Sequence, residues 1–419
     1  MYDDPVVSKG ITADQAIELI QGKQTMTESK KLSLGPLTKI HAFWLAGMSC
    51  DGCTIAVAGA TNPPLEGLLN GQIAGLPQLI LHHPALAVEA GDAFMHNFEM
   101  AERGELDAPY VVCYEGSIAD ETIAAAHGGY WSALGAENLG EDKRRPIPTT
   151  EWLKRLAPGA AAVIAVGTCA TWGGIPAAAG NPTNAMGVMD FLGKDYRGQA
   201  GLPVINIPGC SPVGDNFTET VGMILLFLQG LGPLPEFDSL GRPAWLFTDT
   251  VHNKCVRAGF YEEGVFAENY GDRECLVEIG CWGPVVQCNI TQRGAINHMG
   301  GCMNTGGICI GCTMPGFPDK FAPFYSTPPG STVSSNASRV YGGVIRRLRR
   351  MTMNFQNMEP RWEETGITPS GWGGFQKPTM ANRAMHYLYQ KLQYGGSSRP
   401  GKVVGEGSLK AKGFKTPEV

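Results

Sequence analysis

Cysteines placed directly after strand-like apolar runs constrain this chain more than any other feature. Cys50 and Cys53 follow the run from Lys39 to Ala46, Cys169 follows Ala161 to Gly167, and Cys210 follows Leu202 to Ile207. A further run, Pro109 to Tyr114, lies between the first two. Helical stretches separate the runs, among them Pro84 to Arg103 and Val213 to Leu231, where Phe217, Val221, Ile224, Leu225 and Leu228 recur at helical spacing. This alternation predicts an α/β fold on a mostly parallel sheet. Ligands of such sheets gather in the crevice beyond the carboxyl ends of the strands, so four thiols from three strand ends are expected to meet there. Four thiolates suit a [4Fe–4S] cluster or a structural zinc, both soft tetrahedral-ligand centres. A flavodoxin-like sheet would hold a flavin phosphate at the same place. Here the loop offers Ser49, Cys50, Asp51 and Cys53, and its carboxylate disfavours an anion.

Two further soft-ligand sets follow. His252, Cys255, Cys275 and Cys281 form a three-Cys, one-His set, and Cys288, Cys309 and Cys312 form a third, with Cys302 between them. Three thiolates leave one corner of a cubane free, as in a [3Fe–4S] centre, unless Cys302 supplies the fourth. Any one of these cysteines alone reads as a small buried hydrophobe, and zinc competes for each set. Three such sites in one chain, with no paired nucleophile and base in view, read instead as a relay of redox centres.

The remainder of the sequence sets the organisation around them. Residues 1–36 read as a polar N-terminal extension, 37–235 as the α/β domain with the first set, 236–327 as an irregular domain with the other two, and 328–419 as a C-terminal extension. A second helix is expected from Met380 to Gln393. The net charge of −6 argues against nucleic acid as a partner. Only 17% of residues are charged, against about 25% in soluble proteins, which points to a broad face covered by another chain. The N-terminus has no signal-peptide pattern and no apolar stretch approaches the roughly 20 residues of a membrane span. The expected location is cytoplasmic, peripheral at most to the inner face of a membrane, where reduced thiols favour metal ligation over disulfides.

Together the motifs resemble a family. The run Trp44 to Cys53, Glu115-Gly116-Ser117, Gly167-Thr168-Cys169-Ala170, Pro208-Gly209-Cys210, His252 with Cys255 and Arg257, Cys275 with Cys281, Gly283 and Pro284, and Cys309-Ile310-Gly311-Cys312 recur in order in the small subunit of [NiFe] hydrogenases. The resemblance spans about Thr38 to Phe324. It implies a flavodoxin-like domain followed by an irregular cluster domain. It further implies a proximal [4Fe–4S] cluster on Cys50, Cys53, Cys169 and Cys210, a distal [4Fe–4S] cluster on His252, Cys255, Cys275 and Cys281, and a medial [3Fe–4S] cluster on Cys288, Cys309 and Cys312. The reaction implied is H2 ⇌ 2 H⁺ + 2 e⁻, with the nickel–iron site on a large subunit and electrons leaving to a quinone or soluble carrier. Heterodimers would assemble further.

The sequence departs from the family pattern at three points. Ile55 stands where many members carry Glu, Asp51-Gly52 lacks the extra cysteine of the membrane-bound oxygen-tolerant type, and the usual proline between Cys288 and Cys309 is absent, with Cys302 nearby. Two rivals remain at this level: a quinone-reductase-type iron–sulfur subunit, which would lack the two downstream sets, and a zinc-stabilised scaffold.

Overall fold

A computed structural model of the chain describes residues 34–140, 143–326 and 331–354. Its strands are β1 (Lys39–Ala46), β2 (Gln78–His82), β3 (Tyr110–Glu115), β4 (Ala133–Asn138), β5 (Arg144–Pro148), β6 (Ala162–Val166) and β7 (Ile205–Ile207). Five of them pair in parallel in the order β2-β1-β3-β6-β7, while β4 and β5 form a separate antiparallel hairpin. With the hairpin set aside, this is the flavodoxin-like order, whose strand direction reverses its progress across the sheet between β1 and β3. The expected α/β fold is therefore the observed one.

Helices on both faces explain why the strands are apolar throughout rather than alternating. Every residue of β6 is buried. On one face Trp44, Val111 and Ile164 pack with Val57 of α1 (Gly52–Ala58) and with Phe217 and Val221 of a later long helix, Gly214–Leu228. On the other, Phe43, Val112 and Val163 pack with Phe98 of α2 (Gly91–Arg103) and with Trp152. The helix α3 (Gly167–Trp172) starts directly at the end of β6, and Gly214–Leu228 is α4.

Two boundaries differ from expectation by three residues or more for a local reason, others shift by one to three, and β2 and the β4–β5 hairpin have no counterpart among the expected runs. The segment from Pro84 makes only a turn on His83, and the helix begins at Gly91, whose φ of +59° breaks any continuous helix through it. The last strand pairs from Ile205 rather than Leu202, because Pro203 has no N–H to give a ladder.

Beyond α4 the chain folds without long elements to Phe324, around a separate apolar cluster that includes Val251, Trp282, Met303, Phe317 and Phe321. A long helix, α5 (Ser331–Asn354), returns to this region. Arg339 pairs with Glu278 at 2.7 Å and lies over the Phe266 ring at 5.4 Å. No described helix is long and apolar enough to cross a membrane. The expected N-terminal extension to residue 33 and the helix from Met380 lie outside the described residues.

Candidate metal centres

The first thiol set is assembled where β1, β3, β6 and β7 end. Residues Gly47 and Met48 continue from β1 and bridge to the turn after β3, with Met48 N–H donating to Ser117 O at 3.0 Å. Asp51, at φ +59°, then turns the chain into α1, which carries Cys53 in its first turn. The end of β6 delivers Cys169 on α3, and the Pro208-Gly209 turn after β7 delivers Cys210. All four predicted side chains come together: Cys53 interacts electrostatically with Cys169, Cys50 and Cys210, and Cys169 with Cys210 and Cys50. Burial drives the Cys53 thiol pKa strongly upward, with Glu115 adding to it, and pushes Cys169 up to about 11. Glycine makes room for this packing. Gly167 has φ +88°, and a Cβ there would stand 2.3 Å from the Cys53 sulfur.

Beneath the thiols lies a polar group that sequence reasoning finds only as part of a motif. The Glu115 carboxylate, 1% exposed, accepts from Cys53 N–H at 3.0 Å, Thr54 N–H at 3.2 Å and Trp44 Nε1–H at 2.9 Å. The Thr54 hydroxyl bonds to it as well and also lies 3.0 Å from His83 Nε2. The loop bearing two predicted ligands is thus tied to the end of β3 through its backbone.

The second set also converges. His252, Cys255, Cys275 and Cys281 line one concave space of about 280 Å³ with Gly283 and Met303. His252 is half-buried, and its desolvation lowers its pKa to about 4, so the ring is neutral at neutral pH, with one nitrogen free to accept. Its ring meets Tyr261 edge-on at 4.6 Å. Cys281 accepts from Gly283 N–H at 3.4 Å and Cys309 N–H at 3.3 Å, and Cys255 accepts from Arg257 N–H at 3.4 Å. Arg257 clamps two loop segments here, donating to the carbonyls of Asp272 and of Glu274 at 2.9 Å in one and to that of Met303 at 3.2 Å in the other. Its charge lowers the cost of a thiolate at Cys255 and Cys275.

Cys288, Cys309 and Cys312 form the third group, and each is raised by burial, Cys288 to about 12. Cys302, which spacing alone leaves undecided, is exposed and lies within electrostatic reach of Cys288 and Cys312 and also of Cys210 and Cys281. The third group also joins the other two. The Cys210 backbone N–H favours the Cys312 thiolate, and Cys309 N–H is the donor to Cys281. The remaining cysteine, Cys113, is a core residue of β3, 1% exposed.

These donor sets suit metal centres. Thiolates and an imidazole are soft ligands that fit iron–sulfur clusters and zinc alike. Crowded, partly buried thiolates need the compensating positive charge that a bound metal centre brings.

Comparison with known proteins agrees with this chemistry. Residues 247–325 match the family model for the C-terminal region of the NiFe/NiFeSe hydrogenase small subunit, and residues 50–224 match that for the NADH ubiquinone oxidoreductase 20 kDa subunit. The chain is 31% identical to the periplasmic [NiFeSe] hydrogenase small subunit of Desulfomicrobium baculatum over 72% of this chain and 89% of that one. It is 30% identical to the hydrogenase-2 small chain of Escherichia coli, over 72% and 78%. Among solved structures it resembles a chain of the actinobacterial-type NiFe-hydrogenase of Ralstonia eutropha at a TM-score of 0.73 and 48% identity, covering 83% of this chain and 99% of that one.

Proposed function

The chain belongs to the small-subunit family of nickel–iron hydrogenases, and on that premise we propose that it carries electrons from H2 oxidation through three iron–sulfur clusters. As a hydrogenase small subunit it is an electron-transfer component of an oxidoreductase acting on hydrogen, with the catalytic metal site on the large subunit. The quinone-reductase likeness covers only 50–224; the downstream ligand sets fall in the hydrogenase-specific region.

In this reading Cys50, Cys53, Cys169 and Cys210 hold a proximal [4Fe–4S] cluster and His252, Cys255, Cys275 and Cys281 a distal one. Cys288, Cys309 and Cys312 hold the medial cluster. With these three ligands the medial cluster is [3Fe–4S], and it becomes [4Fe–4S] only if Cys302 supplies a fourth thiolate. The clusters would supply one-electron redox chemistry. The protein positions them and sets their potentials through charge, hydrogen bonds and burial. The observation that carries the relay is the adjacency of the three groups: Cys210 abuts Cys312, and Cys309 abuts Cys281. The medial group therefore sits between the other two. Cys50 and Cys210 are exposed, as is Ile55 nearby, in keeping with a proximal end that the large subunit covers. A quinone or soluble carrier would then draw electrons at the distal end, in an assembly of heterodimers.

The test is Cys169→Ser in the intact heterodimer. H2-dependent dye reduction should fall by at least tenfold, while hydrogen–deuterium exchange at the partner's nickel–iron site persists. Dye reduction at the wild-type rate with a full complement of iron would refute the ligand role of Cys169.

A further inference from the structure

Behind the medial thiols lies a buried ionic group that no ligand assignment uses. Arg242 is 0% exposed. Its Nε–H donates to Asp238 at 2.7 Å and its Nη2–H to Gln287 Oε1 at 2.7 Å, while its guanidinium lies over the Phe247 ring at 5.0 Å. Asp238 is further held by the N–H groups of Leu240 at 2.9 Å and Arg242 at 3.0 Å. Both charges are thereby satisfied.

Gln287 is satisfied at one end only. It is 0% exposed, and its Nε2 has no hydrogen-bond partner among the described residues. A flipped amide does not solve this, because a guanidinium only donates and so fixes Oε1 toward Arg242. The backbone is fixed too, since Gln287 O accepts from the Thr313 hydroxyl at 2.7 Å and the residue bridges to Thr250. A buried donor without an acceptor is costly, and native structures leave few of them. Gln287 directly precedes Cys288, and Thr313, to which it is bonded, directly follows Cys312. Gln287 thus adjoins two of the medial thiol residues through its backbone, and the charge of Arg242 reaches Cys288.

We infer that the Gln287 side-chain amide donates its N–H to a sulfur of the medial cluster, and that Arg242, by polarising that amide, helps hold the medial reduction potential up. The inference rests on the ligand reading proposed above. No bond is made or broken: one electron enters the cluster, and the added negative charge is stabilised by the N–H···S bond and the cation behind it. Gln287 is a positioning residue in this sense, acting on the potential and not on H2.

The experiment is a redox titration of the intact, anaerobically purified complex followed by electron paramagnetic resonance, in wild type, Gln287→Met and Gln287→Glu. Gln287→Met removes the donor. Gln287→Glu keeps an acceptor for Arg242 and so guards against loss of folding. The medial midpoint should fall in both variants, further in Gln287→Glu, while the proximal and distal midpoints stay in place. In wild type alone, with the glutamine side-chain amides carrying ¹⁵N, hyperfine spectra of the medial centre should show an exchangeable proton and a nitrogen coupling. Absence of that coupling, or an unmoved medial midpoint in variants with wild-type iron content, overturns the inference. Absence of any medial signal in wild type would instead overturn the ligand reading beneath it.

Discussion

Glu115 Oε1 accepts the backbone N–H of Cys53 at 3.0 Å, so the end of the third strand holds the start of the helix that presents a cluster ligand. The same carboxylate takes the indole N–H of Trp44 at 2.9 Å from the neighbouring strand. It therefore joins the sheet to the ligand loop at the point where strand order reverses. Replacing it with Gln turns an amide N–H toward donors that need an acceptor. Glu115→Gln should cost about 1–3 kcal/mol of stability, and iron content of the purified complex should fall with it. Unaltered iron content and unfolding midpoint would show that the carboxylate does not hold this loop.

Gly167 tests the same site from the other side. A Cβ at that position would stand 2.3 Å from the Cys53 sulfur, at a backbone φ of +88°. Gly167→Ala is expected to displace the thiol or the start of α3, at a backbone cost of about 1–3 kcal/mol. The loss should appear in the proximal cluster signal before it appears in the distal one, as read by electron paramagnetic resonance.

The buried pair of Asp238 and Arg242 makes a stability prediction independent of the clusters. Asp238→Asn leaves a fully buried guanidinium without its counter-ion, and breaking such a pair from one side costs about 3–5 kcal/mol. The thermal midpoint of the complex should drop clearly. An unchanged midpoint would mean that Arg242 finds another anion.

How far the sequence alone reveals this molecule depends on which force shapes each part. The strand Lys39–Ala46 is legible to the residue because its apolar run is uninterrupted and continues directly into the ligand loop. The edge strand Gln78–His82 leaves no clear signal because its Leu79-Ile80-Leu81 run is too short to separate from a helix fragment by periodicity. The meeting of Cys50, Cys53, Cys169 and Cys210 is legible because thiols after successive strand ends gather at the same edge of a parallel sheet. The roles of Arg257, Arg242 and Gln287 are not. They come from long-range contacts, such as Gln287 with Arg242 across 45 positions, that leave no local pattern. Cys302 is intermediate: spacing places it beside the third set, and only the fold brings it near Cys288 and Cys312.

A pH dependence follows from the histidines on β1 and β2. His82 Nε2 lies 2.9 Å from His41 Nδ1, and burial together with that neighbour lowers the His82 pKa from 6.5 to about 4. The unfolded chain takes up a proton near pH 6.5, whereas the folded chain keeps His82 neutral to about pH 4. This contribution to stability is whole above pH 6.5, declines as pH falls through the interval, and levels off below about 4, a loss of about 3 kcal/mol at most. Thermal midpoints at pH 7.5 and at pH 5 should differ less in His82→Gln than in wild type. An equal difference would assign the pH response to other groups.

The most direct test of the three-cluster relay is a Mössbauer and electron paramagnetic resonance count of iron–sulfur centres, with acid-labile sulfide analysis, on the intact complex purified without oxygen. Iron and sulfide for three clusters on this chain are expected, the middle one losing its signal selectively in Cys312→Ser. A preparation active with H2 that holds only one cluster on this chain, or zinc in place of iron, would contradict the relay.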